Sequence, residues 1–258
     1  MKDTVMMFEM SSHEYKRRLL ADDAIILLPV GAVEQHGHHL PVGTDFMMAT
    51  YMATRAAEIV GGIVAPPISY AAKSGVRTGG GNHQPGTTSL DGITLITVVK
   101  DVLKEFARHG ARKIGLIDGH FENRFFLDEA CDIAVRDLRL DGIDDVKVLK
   151  MIYAAEFPQE LLDRIYIDIE FPGLDLEHGG ILETSMMLYC FPDLVDLDLI
   201  PEEKKRKFPA YDLYPGNPAW VPPSGNLSSG RGSSVEKGKI LVETFVQQVV
   251  DALLAEFR

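Results

Sequence analysis

Two short patterns carry the chemistry of this chain. Glu34-Gln35-His36 reads E-x-H, and His120-Phe121-Glu122 reads H-x-E. Each follows an apolar run directly, and each is flanked by glycine. In an extended turn, residues i and i+2 point to the same side. Each triplet can therefore aim one carboxylate and one imidazole at a common point. Asp45 follows soon after the first triplet and adds a third carboxylate. Two imidazoles and three carboxylates exceed the usual set of a catalytic zinc, which takes three protein ligands and a water. They suit two divalent ions that share a bridging carboxylate, about 3.5–4 Å apart with a water between them. Imidazole with carboxylate fits Zn²⁺ or Mn²⁺, and the lack of thiolate argues against an iron–sulfur cluster.

Each residue alone has a plainer reading. Asp45 could be a helix N-cap. His36 could belong to a surface trio with His38 and His39, and Glu34 and Glu122 could be solvated loop residues. The mirrored pair after two apolar runs is what selects the metal. His178, in Glu177-His178-Gly179-Gly180, precedes a helix. There an imidazole can carry protons near neutral pH, or simply cap or pack. Asp118, just before Gly119, either supports His120 or ends a strand. The run Gly79-Gly80-Gly81-Asn82-His83-Gln84-Pro85-Gly86 is neither a dinucleotide fingerprint, because Gln84 replaces the third glycine, nor a P-loop. A loop whose backbone approaches a ligand or a neighbouring subunit fits it. Gly79, Gly80 and the Gly119 backbone are therefore expected to line the pocket.

The elements that must position these residues follow from periodicity. Buried strands are expected at 24–30, 62–65, 68–70, 113–118 and 146–153. Helices are expected at 46–60, 93–109, 123–140, 179–190 and 235–257. Strands alternating with helices imply parallel βαβ units, hence a single α/β domain over residues 1–258 with helices on both faces of its sheet. Ligands of such sheets gather at the carboxyl ends of the strands, where both triplets lie. Residues 201–233 are rich in Pro, Gly and Ser and carry Trp220.

Composition narrows the partners. The net charge is −12 with no basic stripe, so nucleic acid and anionic membrane surfaces are excluded. No apolar run approaches the roughly 20 residues needed to span a bilayer. The first residues lack the long apolar stretch of a signal peptide. Cys131 and Cys190 lie in apolar-periodic segments and do not suggest a disulfide framework, so a cytoplasmic location is expected.

With these residues in place, the chain resembles the creatininase (creatinine amidohydrolase) family. The blocks LPVGAVEQHGHHLPVGTD (28–45), GGGNHQPGTTSLDG (79–92), GHFEN (119–123) and DLEHGG (175–180) match that family's blocks in order. The resemblance extends to FPDLVDLD (191–198) and the Pro-rich segment before LSS. It implies a three-layer sandwich with a mainly parallel sheet, assembled as a homohexamer. It implies two divalent ions, zinc with zinc or manganese. Glu34 and His120 would hold one, His36 and Glu122 the other, and Asp45 would bridge them. His178 would be the proton shuttle, assisted by Glu122.

Creatinine-hydrolysing members resemble one another in clamping the flat substrate between two tryptophans and in carrying Tyr between the His and Glu of GHxEN. At the matching positions this chain has Ala154, Leu174 and Phe121. Loss of two aromatic faces removes stacking on a planar ring and widens the pocket. The resulting expectation is a metal-dependent hydrolase that opens a small cyclic substrate, creatinine or a related cyclic amide. One alternative is carbon–carbon cleavage of a cyclic diketone such as a diketo-inositol, since the family also includes such hydrolases. Another is a non-catalytic metal- or ligand-binding assembly protein. Trp220 could reach a neighbouring pocket in a hexamer or anchor the surface.

Overall fold

A computed structural model describes residues 4–257. In chain order its elements are α1 (Ser12–Leu20), β1 (Ile26–Val30), α2 (Thr44–Val60), β2 (Ile63–Val64), α3 (Gly92–Arg108) and β3 (Lys113–Asp118). They continue with α4 (Arg124–Leu140), β4 (Lys147–Ile152), α5 (Gln159–Ile165), α6 (Ile181–Cys190) and α7 (Val235–Phe257). The four strands form one parallel sheet in the order β2-β1-β3-β4. β1 is buried along its whole length because helices cover both faces of the sheet.

Side chains alternate across that sheet. Ile26, Leu28 and Val30 face a core shared with α3 and α4, built on Leu95, Val99, Leu103, Leu127 and Ala134. Leu27 faces the opposite core, filled by Met48, Met52 and Ala56 of α2, Met187 of α6, and Phe245 and Val249 of α7. The fold is therefore the expected three-layer α/β arrangement. α6 and α7 approach so closely that a Cβ on Gly238 would lie 1.9 Å from the Ser185 carbonyl oxygen.

The expected strand at 68–70 is reduced to a single bridge between Val30 and Ile68. Pro66 and Pro67 have no N–H to donate, so pairing cannot propagate through them. Two helices escape periodicity. α1 buries only Leu19, and its start is set by Ser11, whose hydroxyl accepts from the Glu14 N–H at 3.2 Å. α5 has only seven residues, too few to show a helical stripe.

One piece of register positions the chemistry. Val30 and Asp118 are paired neighbours at the ends of β1 and β3, and the Gly119 N–H donates to the Val30 carbonyl at 2.8 Å. Both functional loops therefore leave the sheet side by side. The first turn of α2 presses on both of them. A Cβ on Gly31 would lie 2.3 Å from the Phe46 nitrogen, and one on Gly119 would lie 2.5 Å from the Asp45 carbonyl. Glycine after each strand is what lets Asp45 reach the sheet edge.

Candidate metal centre

Asp45 lies in the first turn of α2 behind Gly43 at the N-cap, so capping is not its role. Its two oxygens face two imidazoles. Oδ1 is 3.0 Å from His36 Nε2 and Oδ2 is 3.1 Å from His120 Nδ1. Glu34 Oε2 joins His120 Nδ1 at 3.2 Å. Glu183 Oε1, from α6, approaches His36 Nε2 at 3.7 Å. Three donor groups result, Glu34–Asp45–His120, His36–Asp45–Glu183 and Glu34–His36–His178, and Asp45 is common to the first two.

Glu34, His36, Asp45 and His120 are all buried, and Glu34 Oε1, His36 Nε2 and Asp45 Oδ2 have no well-aligned hydrogen-bond partner among the described residues. Orphaned buried polar atoms are costly. Hard and borderline donors converging from three segments fit two divalent cations.

The protonation states agree with tight charge coupling. Burial disfavours charge on His36, yet Asp45 and Glu183 raise its pKa well above the ordinary value. Burial likewise opposes charge on Glu34, but His120 and His178 hold it below the usual carboxylate range. Asp45 is depressed for the same reason by His36 and His120. Burial pushes Asp118 up to about 7, against hydrogen bonds from Asn123 and the His120 amide. Those bonds, 2.9 Å and 3.1 Å long, show that Asp118 braces the start of the His120 loop.

Glu122 departs from its expected place. It falls outside all three donor groups, and Glu183 takes the position beside His36. The Gly75 N–H and the Thr78 hydroxyl both donate to Glu122 Oε1. Oε2 lies 3.5 Å from His120 Nε2, on the edge of the ring that faces away from Asp45. No bond joins Glu122 to His178 among the described residues. Glu183 is missed by sequence reasoning because it sits in the first turn of α6 with no adjacent histidine. The only sequence signal was a carboxylate one turn inside the helix after Glu177-His178. The Gly179 N–H donates to Glu183 Oε2 at 2.7 Å, leaving Oε1 aimed at His36.

The His178 ring lies against His36, tilted by 38° with ring centroids 4.3 Å apart. Its Nε2 meets two groups of Gln35, the backbone carbonyl at 2.6 Å, which only accepts, and the side-chain amide nitrogen at 3.1 Å, which only donates. The turn holding His178 is fixed from the Pro/Gly/Ser-rich segment. Asn226 is fully buried, and its amide donates to the Gly179 carbonyl at 2.9 Å. The histidine trio divides. His36 is in the site and His38 is exposed. His39 is buried against the Thr184 hydroxyl at 2.8 Å, with burial lowering its pKa to about 4.

Above the donors lies a cavity of about 360 Å³, lined in part by Gly119, Phe121, Ala154 and Leu174 as expected. Gly79 and Gly80 lie elsewhere. A Cβ on Gly79 would lie 2.1 Å from Glu34 Oε1, and one on Gly80 would lie 2.4 Å from the Gln35 amide nitrogen. The triple-glycine run therefore backs the ligand loop instead of lining the pocket. Trp220 is also outside the cavity, and its ring meets Tyr211 edge-on at 6.1 Å.

The model of the creatininase (creatinine amidohydrolase) family matches residues 8–253. The chain belongs to the creatininase family. A creatinine amidohydrolase of Pseudomonas putida is 45% identical over 259 residues, covering 100% of this chain and 99% of that protein. A solved mutant creatininase of zinc–zinc type superposes with a TM-score of 0.96 at 44% identity. Another, complexed with creatine, gives 0.94 at 43%, and each comparison covers 99% of both chains. The protein is a creatininase-type hydrolase, and its donor cluster suits divalent metals. No helix among the described residues is long and apolar enough to cross a membrane.

Proposed function

We propose that this protein is a cyclic amidohydrolase that opens the ring of creatinine or a related cyclic amide, using zinc paired with zinc or manganese. The observation that carries this reading is Asp45 offering one oxygen to each of two imidazoles at the floor of the cavity. Glu34, His120 and Asp45 would hold one ion, and His36, Glu183 and Asp45 the other. When bound, the ions supply the positive charge that activates water and polarises a ring carbonyl.

The chain's own residues do the rest. Glu122 and the Ala72 carbonyl, 3.2 Å from His120 Nε2, orient that ring so that Nδ1 faces the ligand set. His178, held against Gln35, takes a proton and delivers it to the departing ring nitrogen. The buried floor excludes bulk water, and Phe121 and Leu174 offer the ring an apolar wall. Identity of 45% to a creatinine amidohydrolase along the whole chain favours carbon–nitrogen over carbon–carbon cleavage, and the intact donor set favours catalysis over a purely structural role. A cytoplasmic homohexamer completes the proposal.

The test is direct. Chelator-stripped protein, reloaded with Zn²⁺ or Mn²⁺, is incubated separately with creatinine, other cyclic amides and a diketo-inositol. Metal-dependent loss of a cyclic amide is expected. Full activity without metal, or turnover of the diketone alone, would overturn the reading.

A further inference from the structure

We propose that Arg124 makes this pocket selective for cyclic amides that carry an anionic substituent, a carboxylate above all, on the ring that is opened. The inference rests on the hydrolase reading above. It adds no chemical step, since the same carbon–nitrogen bond breaks and the carboxylate serves only as a handle.

Among the described residues, Arg124 is the only lysine or arginine in the cavity wall. Its guanidinium makes no ion pair or side-chain hydrogen bond among the described residues. Arg124 is exposed where it borders the cavity, and its guanidinium lies 5.6 Å from the centroid of the exposed Phe125 ring, a contact that leaves its N–H donors unspent. Arg124 is also the first residue of α4. A cation there opposes the helix dipole, so helix stability does not explain its charge.

The rest of the wall leaves room for a substituent. Ala154 and Ala155 are small, and half-exposed Phe121 and Leu174 give apolar sides. A neutral ring such as creatinine gives the guanidinium nothing to hold, whereas a carboxylate matches its two parallel N–H groups. Once two dications neutralise the carboxylates on the floor, Asp175 and Glu177 are the acids that remain in the wall. Burial also pushes the Glu177 carboxyl up to about 7, which reduces its charge near neutral pH. The −12 net charge disfavours polyanions, but one carboxylate at short range responds to the local guanidinium.

Two matched pairs test this on zinc-loaded protein: dihydroorotate against dihydrouracil, and hydantoin-5-acetate against hydantoin. Each pair shares a ring and differs in the carboxylate-bearing substituent. The expected result is a preference for the anionic member of about tenfold or more in kcat/KM. In Arg124→Gln the anionic-to-neutral ratio should fall by roughly 10–100-fold, mainly through KM, the size of a lost charge-assisted bond. Arg124→Lys should recover part of it. Calorimetric Kd values for the anionic rings should weaken in parallel. No preference in the parent protein, or an unchanged ratio in Arg124→Gln, overturns the proposal. If no ring is opened, creatinine included, the hydrolase reading fails, and the calorimetric comparison alone decides Arg124.

Discussion

Single side chains divide the labour at this site, and exchanging them separates their roles. Glu183→Gln should lower bound metal from about two ions per chain toward one, measured by elemental analysis after dialysis. Glu122→Gln should keep both ions but weaken binding of the ion beside His120 by roughly 10–100-fold, because Glu122 acts through His120. Equal metal loss in both variants would contradict the geometry. The pocket wall makes a second prediction. Ala154→Trp combined with Leu174→Trp should raise kcat/KM for creatinine about tenfold, since each aromatic face contributes on the order of 0.5–1.5 kcal/mol. An unchanged value would mean that these positions do not touch the ring. Glu177 provides a pH test. Its folded pKa of about 7 lies above its ordinary value of 4.5, so the folded protein binds the extra proton between those limits. Its contribution to stability must then fall as pH rises from about 4.5 to about 7. Glu177→Gln should remove that fall and gain Tm relative to the parent at pH 8, but not at pH 4.

Element packing transmits precision to these side chains. Glu183 rides on α6, which is clamped to α7 at Gly238 and Ser185. Gly238→Ala would force the two helices apart. We expect a loss of about 1–3 kcal/mol in denaturant unfolding, the usual cost of overpacking, together with weaker binding of the ion beside His36. The glycines after β1 and β3 act likewise on α2, whose first turn brings Asp45 between the two loops.

The molecule as a whole places buried charge where a cation must balance it. Stripping the metals leaves several coupled carboxylates and imidazoles without counterions in the interior. Chelation should therefore lower Tm, and stoichiometric Zn²⁺ should restore it, because a ligand of the folded state stabilises by mass action. Identical melting curves with and without chelator would refute the metal centre. Two bound dications bring the formal charge from −12 to −8, which still disfavours polyanionic partners.

Much of this was legible in the chain itself. Alternating apolar periods fixed the strands and long helices, since the period of two or 3.6 is a local property. Two mirrored triplets, each after a buried strand, announced Glu34, His36 and His120, and Asp45 came with them. What the sequence could not supply was anything set by contacts distant along the chain. Glu183 lies 147 positions after His36, and only the packing of α6 against α2 and α7 brings its carboxylate there. The exchange of Glu122 for Glu183, the burial of Gly79 and Gly80 behind Glu34, and Asn226 holding the His178 turn were decided the same way. Residue type and local spacing determine which groups can bind a metal. Which of them meet is determined by the register of β1 and β3 and by how closely glycine lets the helices approach.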